Sequence, residues 1–261
     1  MKLSELLSRW SYKSIGREIG LDVQMLEGHL VCTPLDPNDP RYSMDFVMPS
    51  MKMISACRAD DFDFFQPFIA AGKLTTEQMH HAAQRYHLGK TKSGEPIYWM
   101  ITEMMDPLDA HIGNGWISDA LKKREPILNY WRPTHCLFGL HLLSEQRTVN
   151  SEQLTIAVVE AEKSAVILSE LFPETLWMAY ATMPHLMPDF LAPLQGCRVT
   201  FYPRTDATTS NYLFFLDYAK LVGKRYNIDI KVDKTLENHA TEDQKERGID
   251  LLDFLLESLN P

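Results

Sequence analysis

The stretch from Leu154 to Ala181 reads LTIAVVEAEKSAVILSELFPETLWMAYA, and its reading decides the fold. An apolar run, Leu154–Glu160, leads into Lys163–Phe172, where Val166, Ile167, Leu171 and Phe172 share one face of a helix. A second apolar run, Leu176–Ala181, follows. Short apolar runs without period-two alternation suit strands covered on both faces, and a helix between two of them is the crossover of a parallel sheet. The pattern repeats downstream. Arg198–Pro203 and Asn227–Val232 are two more such runs, and Asn211–Arg225 between them aligns Leu213, Phe214, Leu216, Leu221 and Val222. The expectation is an α/β fold: a parallel sheet of about four strands with flanking helices over residues 151–261, preceded by an α+β region. Ligands of such sheets gather beyond the carboxyl ends of the strands. That directs attention to Glu160-Ala161-Glu162-Lys163 and to Pro203-Arg204-Thr205-Asp206.

Working outward, residues 1–84 read as helical or irregular. Leu3, Leu6, Leu7 and Trp10 mark one amphipathic helix, Ser14–Leu21 a second, and Val23–Thr33 has strand character. Pro34 to Pro49 is a proline-rich loop. Asp60, Asp61 and Asp63 beside Phe62, Phe64, Phe65 and Phe68 suit the first turn of a helix better than a metal site. Thr75 and Gln78 have capping-box spacing. On the helix they open, His80 and His81 face different directions and His87 lies past its end, which is the pattern of surface histidines.

Residues 85–150 carry strands. Tyr86–Gly89 and Ile97–Glu103 flank a turn at Lys92-Ser93-Gly94-Glu95, which predicts an antiparallel pair. Asp106–Asn129 reads as a polar connection with a helix at Ile117–Arg124, and Ser144–Gln153 as a hydrophilic loop. After the fourth parallel strand, Asp233–Gln244 is polar. A closing helix then begins at the Thr241/Gln244 capping box and carries Ile249, Leu252, Phe254, Leu255 and Leu259 on its apolar face.

Composition narrows the function classes. At 261 residues and 45% apolar the chain can bury a large core, and no apolar run reaches the roughly 18–20 residues of a membrane span. Met1-Lys2-Leu3-Ser4-Glu5 lacks a signal-peptide core, so the expected location is the cytoplasm. The four cysteines form no Cys-x-x-Cys, which fits reduced thiols. A net charge of −9 argues against strong sequence-independent binding of nucleic acid and leaves room for a local basic face. Neither Gly-x-Gly-x-x-Gly nor Gly-x-x-x-x-Gly-Lys-Ser/Thr is present, so a small-molecule enzyme on this sheet would lack the two commonest phosphate cradles. Thr208-Thr209-Ser210-Asn211 would serve as a helix cap or as an anion site.

The order of parts carries a family resemblance. Leu137-Phe138-Gly139-Leu140, then Val158-Val159-Glu160-Ala161-Glu162-Lys163-Ser164-Ala165, then a strand ending in an acidic loop resemble the Toprim domain of bacterial-type primases and topoisomerases. Tyr86-His87-Leu88-Gly89-Lys90-Thr91-Lys92 with Tyr98-Trp99 is similar to primase-derived Toprim-like proteins of bacterial mobile elements. The resemblance covers roughly residues 85–232 and makes 85–150 primase-core-like and 151–261 Toprim-like. It implies carboxylates that hold Mg2+ against phosphate, with Glu160 as general acid or base.

On this alignment Asp-x-Asp falls on Arg204-Thr205-Asp206, so an arginine replaces the first aspartate. The remaining metal ligands would be Asp206 and Glu162, and Lys163, Arg204 and Arg198 would meet phosphate. A fixed positive charge opposes a divalent cation. The implied function is therefore a primase-like accessory protein acting on or beside nucleic acid in mobile-element replication or transfer, with catalysis degenerate. The alternatives are an interaction module for a replication or mobilisation protein, and a Mg2+-dependent nucleotidyl or phosphoryl transferase.

Plainer readings exist for each residue. Glu160 and Glu162 suit a helix start by its dipole alone, and Lys163 suits a solvated helix face. Arg204 would either pair with Glu160 or offer its guanidinium to a phosphate, and His185 is an ordinary loop residue.

Overall fold

The computed structural model describes residues 21–26, 29–34, 51, 54, 58–91, 93–113, 115–124, 135–149, 154–182 and 186–259. The helices expected before Leu21 and the loop residue His185 lie outside the described residues. Strands β1 (Leu21–Leu26) and β2 (His29–Pro34) pair antiparallel, and helices α1 (Gln66–Ala70) and α2 (Thr76–Arg85) follow. An antiparallel sheet comes next, with β3 (Gly89–Lys90), β4 (Pro96–Ile101), β5 (Pro107–Ile112) and β6 (Gly115–Trp116) in that order. Helices α3 (Ile117–Arg124) and α4 (Leu142–Val149) lead to the parallel half.

There β7 (Thr155–Val159), α5 (Glu162–Leu171), β8 (Leu176–Ala179), β9 (Arg198–Phe201), α6 (Ser210–Tyr226) and β10 (Asp229–Val232) alternate. Helices α7 (Thr235–His239), α8 (Glu242–Arg247) and α9 (Leu251–Leu259) close the fold. All strand pairs in this sheet are parallel and the order is β10-β9-β7-β8. The mixed α/β class and the four-stranded parallel sheet match the expectation. One apolar core runs from Phe62 to Leu252, taking in residues on both sides of position 150.

Burial explains why the strands lack alternation. Ile156, Val158 and Val159 are at most 1% exposed, as are Met178 and Ala179, because helices cover both sheet faces. Helix α5 is buried from Ser164 to Ser169, since it lies between the sheet, α2 and α9. Strand β8 is one edge of the sheet, β10 the other, and unpaired edges invite association. Phe138 covers the β8 edge by exchanging backbone hydrogen bonds with Ala179, and Tyr86 by donating its hydroxyl to the Trp177 carbonyl at 2.8 Å. Gly139, at φ +83, makes that approach possible: a Cβ there would stand 3.0 Å from both the Trp177 carbonyl oxygen and the Tyr86 ring.

Several expectations need correction. On α6, Leu213, Phe214 and Leu221 are exposed, and Tyr212, Phe215, Tyr218, Ala219 and Val222 face the sheet. The aromatic face wins because Phe215 and Tyr218 pack on Phe201, with centroids 5.0 and 5.9 Å away. Tyr86 is the cap residue of α2 and not a strand residue, so β3 is only two residues long. The polar connection after Asp106 holds the strand β5, where Asp109 and His111 are buried because each has a partner. Ser144–Val149 is helical. The single closing helix is two: α8 has the expected Thr241/Gln244 capping box but stops at Gly248, whose φ of +63 ends a helix, and α9 starts afresh. The Thr75/Gln78 box forms as read.

Candidate functional site at the carboxyl end of the parallel sheet

Because the chain leaves β7 for β8 and returns across it to β9, the winding reverses between β7 and β9. The loops after these two strands therefore splay apart, which makes the crevice that open α/β sheets use for ligands. Glu160 follows β7 and Arg204 lies just beyond β9, and they meet there: Arg204 Nε is 3.8 Å from Glu160 Oε2. The pair is loose and partly exposed, with the Arg204 side chain at 46% and Glu160 at 23%, so it contributes only about 0–1 kcal/mol. Gly248 lies behind the guanidinium, and Thr205 donates its amide to the Ile249 carbonyl, so the α8–α9 turn seats this loop.

Burial pushes the Glu160 carboxyl above its ordinary range. The Arg204 charge opposes that rise, and the Asp250 and Glu162 charges add to it. Tyr180 lies beside Glu160 with its hydroxyl buried and without a complete hydrogen bond, and burial together with the Glu160 charge keeps that phenol protonated. Asp250 enters from the far end of the chain. Its carboxylate accepts from the Ser164 hydroxyl at 2.5 Å and from the Asp253 amide at 2.8 Å, which starts α9 and ties it to α5. Burial and the Asp250 charge raise the Asp253 carboxyl, and exposed Lys163 counteracts them. Glu160 thus lies within electrostatic reach of Arg204 and Asp250, and Asp253 within reach of Asp250 and Lys163.

The other expected site residues are elsewhere or otherwise engaged. Asp206 caps α6: its Oδ1 accepts from the Thr208 amide and hydroxyl and the Ser210 amide, and its Oδ2 from the Asn211 amide at 2.8 Å. Burial pushes this carboxyl up, but those hydrogen bonds, from Thr208, Asn211 and Ser210, more than offset it and hold it well below the usual range. Asp206→Ala is expected to cost about 1–2 kcal/mol, as loss of a helix cap does, measurable by urea denaturation. Arg198 sits at the amino end of β9, about 10 Å from that strand's other end, and pairs with Asp229 at 3.9 Å. It cannot line the same crevice as Arg204.

Glu162 turns away from Glu160. It is 5% exposed and its Oε1 lies 2.8 Å from His111 Nδ1 on β5. The hydrogen bond to Glu162 raises the His111 imidazole, burial opposes it, and the Glu162 and Asp109 charges add to the rise. On the same face of β5, Asp109 accepts from the Ala110 and Ser118 amides and meets His135 Nε2 at 2.9 Å. Trp116 stacks on His135 at 4.1 Å and tilts against His111 at 4.9 Å. Of these two carboxylate–imidazole pairs, His111–Glu162 joins the antiparallel sheet to the start of α5, and Asp109–His135 ties β5 to the segment that leads into Cys136. The sequence signal for them was the Asp-x-His spacing of Asp109 and His111, which puts both on one strand face. Nothing local marks Asp250 or Tyr180.

Among the described residues, no group of three or more His, Cys, Asp or Glu is placed to hold a metal ion, and no helix is long and apolar enough to cross a membrane. A family model described as Domain of unknown function (DUF6371) matches residues 63–205, which takes in Glu160, Arg204 and the whole four-stranded antiparallel sheet and stops before Asp206 and Asp250. No curated protein and no solved structure matches the chain.

Proposed function

The chain belongs to the DUF6371 family, whose description assigns no activity, and we propose that it is a Toprim-like, primase-derived accessory protein acting on or beside nucleic acid in mobile-element replication or transfer. In this reading the metal position is taken by the Arg204 guanidinium and metal-dependent catalysis is lost. The observation that carries it is the Glu160–Arg204 pair at the reversal point of the sheet. A permanent cation about 4 Å from Glu160 supplies in place one of the two positive charges that Mg2+ would bring, and a divalent ion entering there would meet repulsion. Because the pair is loose, a phosphate group can draw Arg204 outward through charge-assisted hydrogen bonds at little cost. Arg204 and Lys163 allow only one or two phosphate contacts at this crevice. Binding would therefore be weak, with a log–log salt slope of about −0.9 per contact on a duplex.

The test is calorimetric titration with Mg2+ and Mn2+ of the wild type, Glu160→Gln and Arg204→Asp. The expected result is no saturable binding in the wild type and binding gained in Arg204→Asp. Saturable wild-type binding that Glu160→Gln removes would overturn this reading in favour of a working Mg2+-dependent transferase. Arg204→Ala should also lower the salt slope for a short oligonucleotide by about one contact. A protein partner is the second reading, favoured by the exposed Leu213, Phe214 and Leu221 on α6. Wild-type binding to oligonucleotide that is undetectable at low salt, or unchanged in Arg204→Ala, would point there.

A further inference from the structure

Outside the Glu160–Arg204 pair, a buried histidine and a half-buried one each hold a buried ring nitrogen without a partner among the described residues. His141, just before α4, is 0% exposed, and its Nε2 lies 3.1 Å from the Arg85 carbonyl oxygen. A carbonyl only accepts, so Nε2 carries the proton and Nδ1 presents a bare lone pair. Among the described residues that Nδ1 is buried without a partner, and so is Nδ1 of His87, the neighbouring ring. Unpaired buried polar atoms are costly and rare enough to need an explanation. His87 is moreover held at φ +51, a backbone conformation that side-chain-bearing residues seldom adopt. Burial keeps His141 neutral, with its pKa down at about 4, and burial likewise lowers His87.

We propose that His87 and His141 bind one borderline-soft transition-metal ion, Zn2+ or a chemical equivalent, through their two Nδ1 atoms. The ring centroids are 5.2 Å apart and tilted by 46°. Two imidazoles that share one ion at about 2.0–2.1 Å and at the tetrahedral angle have ring centres about 5.2 Å apart, a spacing within the ordinary range of ring contacts and compatible with the one observed. Two neutral imidazole lone pairs are the donors such an ion prefers. The Glu145 charge acts on His87 in favour of a cation, and the Arg58 charge at His87 and the Arg85 charge at His141 act against it. The half-buried His87 side is where the remaining coordination positions would be filled from solvent. This site does not depend on the reading of Glu160 and Arg204.

The test uses the full chain stripped of metal with a chelator. Co2+ is titrated to follow the intense visible absorption of tetrahedral cobalt, and Zn2+ is titrated by calorimetry and by displacement of cobalt. The expected result is one ion per chain, with affinity lowered at least about tenfold in His87→Gln and in His141→Gln and unchanged in His81→Gln. Should the fully buried His141→Gln fail to fold, His87→Gln decides alone, because that ring is only half-buried. No uptake at one equivalent, or uptake indifferent to His87→Gln, overturns the proposal. A nitrogen-15 spectrum showing a proton shared between the two Nδ1 atoms in the presence of excess Zn2+ also overturns it.

Discussion

Tyr86→Ala is expected to cost about 3–5 kcal/mol of stability, the range for removing a large buried aromatic side chain. Tyr86 is 0% exposed, stacks on Phe138 with ring centroids 5.2 Å apart, and donates its hydroxyl to the Trp177 carbonyl. It is therefore the joint at which α2 and the Phe138 turn both press on the sheet edge β8. Truncation opens a cavity there, and the tight turn at Gly139 has no larger side chain to move in. Tyr86→Phe, which keeps the ring and loses only the hydrogen bond, should cost about 1–3 kcal/mol. Guanidinium denaturation at unchanged slope would read both as shifts in midpoint. An alanine variant within about 0.5 kcal/mol of the wild type, the range of an ordinary surface substitution, would show that Tyr86 does not hold the edge.

The second large effect is at Glu162. Removing one partner of a buried ion pair costs about 3–5 kcal/mol, and Glu162→Ala should fall at the low end because the imidazole left behind can shed its proton. The pair also sets a pH dependence. His111 has its pKa raised in the folded state, chiefly by the hydrogen bond to Glu162 and against its burial. The folded protein thus binds the proton more tightly than the unfolded chain. The stabilisation is fully present below the ordinary histidine pKa of about 6.5 and is lost as pH rises through the folded value. Urea denaturation of the wild type from pH 5 upward should show stability falling across that window. Glu162→Gln should flatten the fall. An identical pH profile in the two proteins would mean that His111 is not the titrating group.

How much of this was legible beforehand follows from which interactions are local. The four parallel strands and both capping boxes were readable because continuous apolar runs and Thr-x-x-Gln spacing act within a few residues. The inward face of α6 was not, because two apolar faces competed on one helix and only packing against Phe201 chose between them. Strand β5 was missed because its buried Asp109 and His111 look like solvated residues until His135 and Glu162 are seen beside them. The same distance effect hid Asp250, which reaches Ser164 across 86 positions of chain.

The sequence by itself determined the α/β class, the four parallel strands and the placement of Glu160 and Arg204 at strand ends, because strand length, apolarity and loop position are written in neighbouring residues. Only the tertiary structure decided that Arg204 stands against Glu160, that Glu162 turns to His111, that Asp206 caps a helix and that Arg198 lies at the opposite end of its strand. The reason is that a charged side chain is oriented by the partner it finds in space, and the order of the chain does not specify that partner.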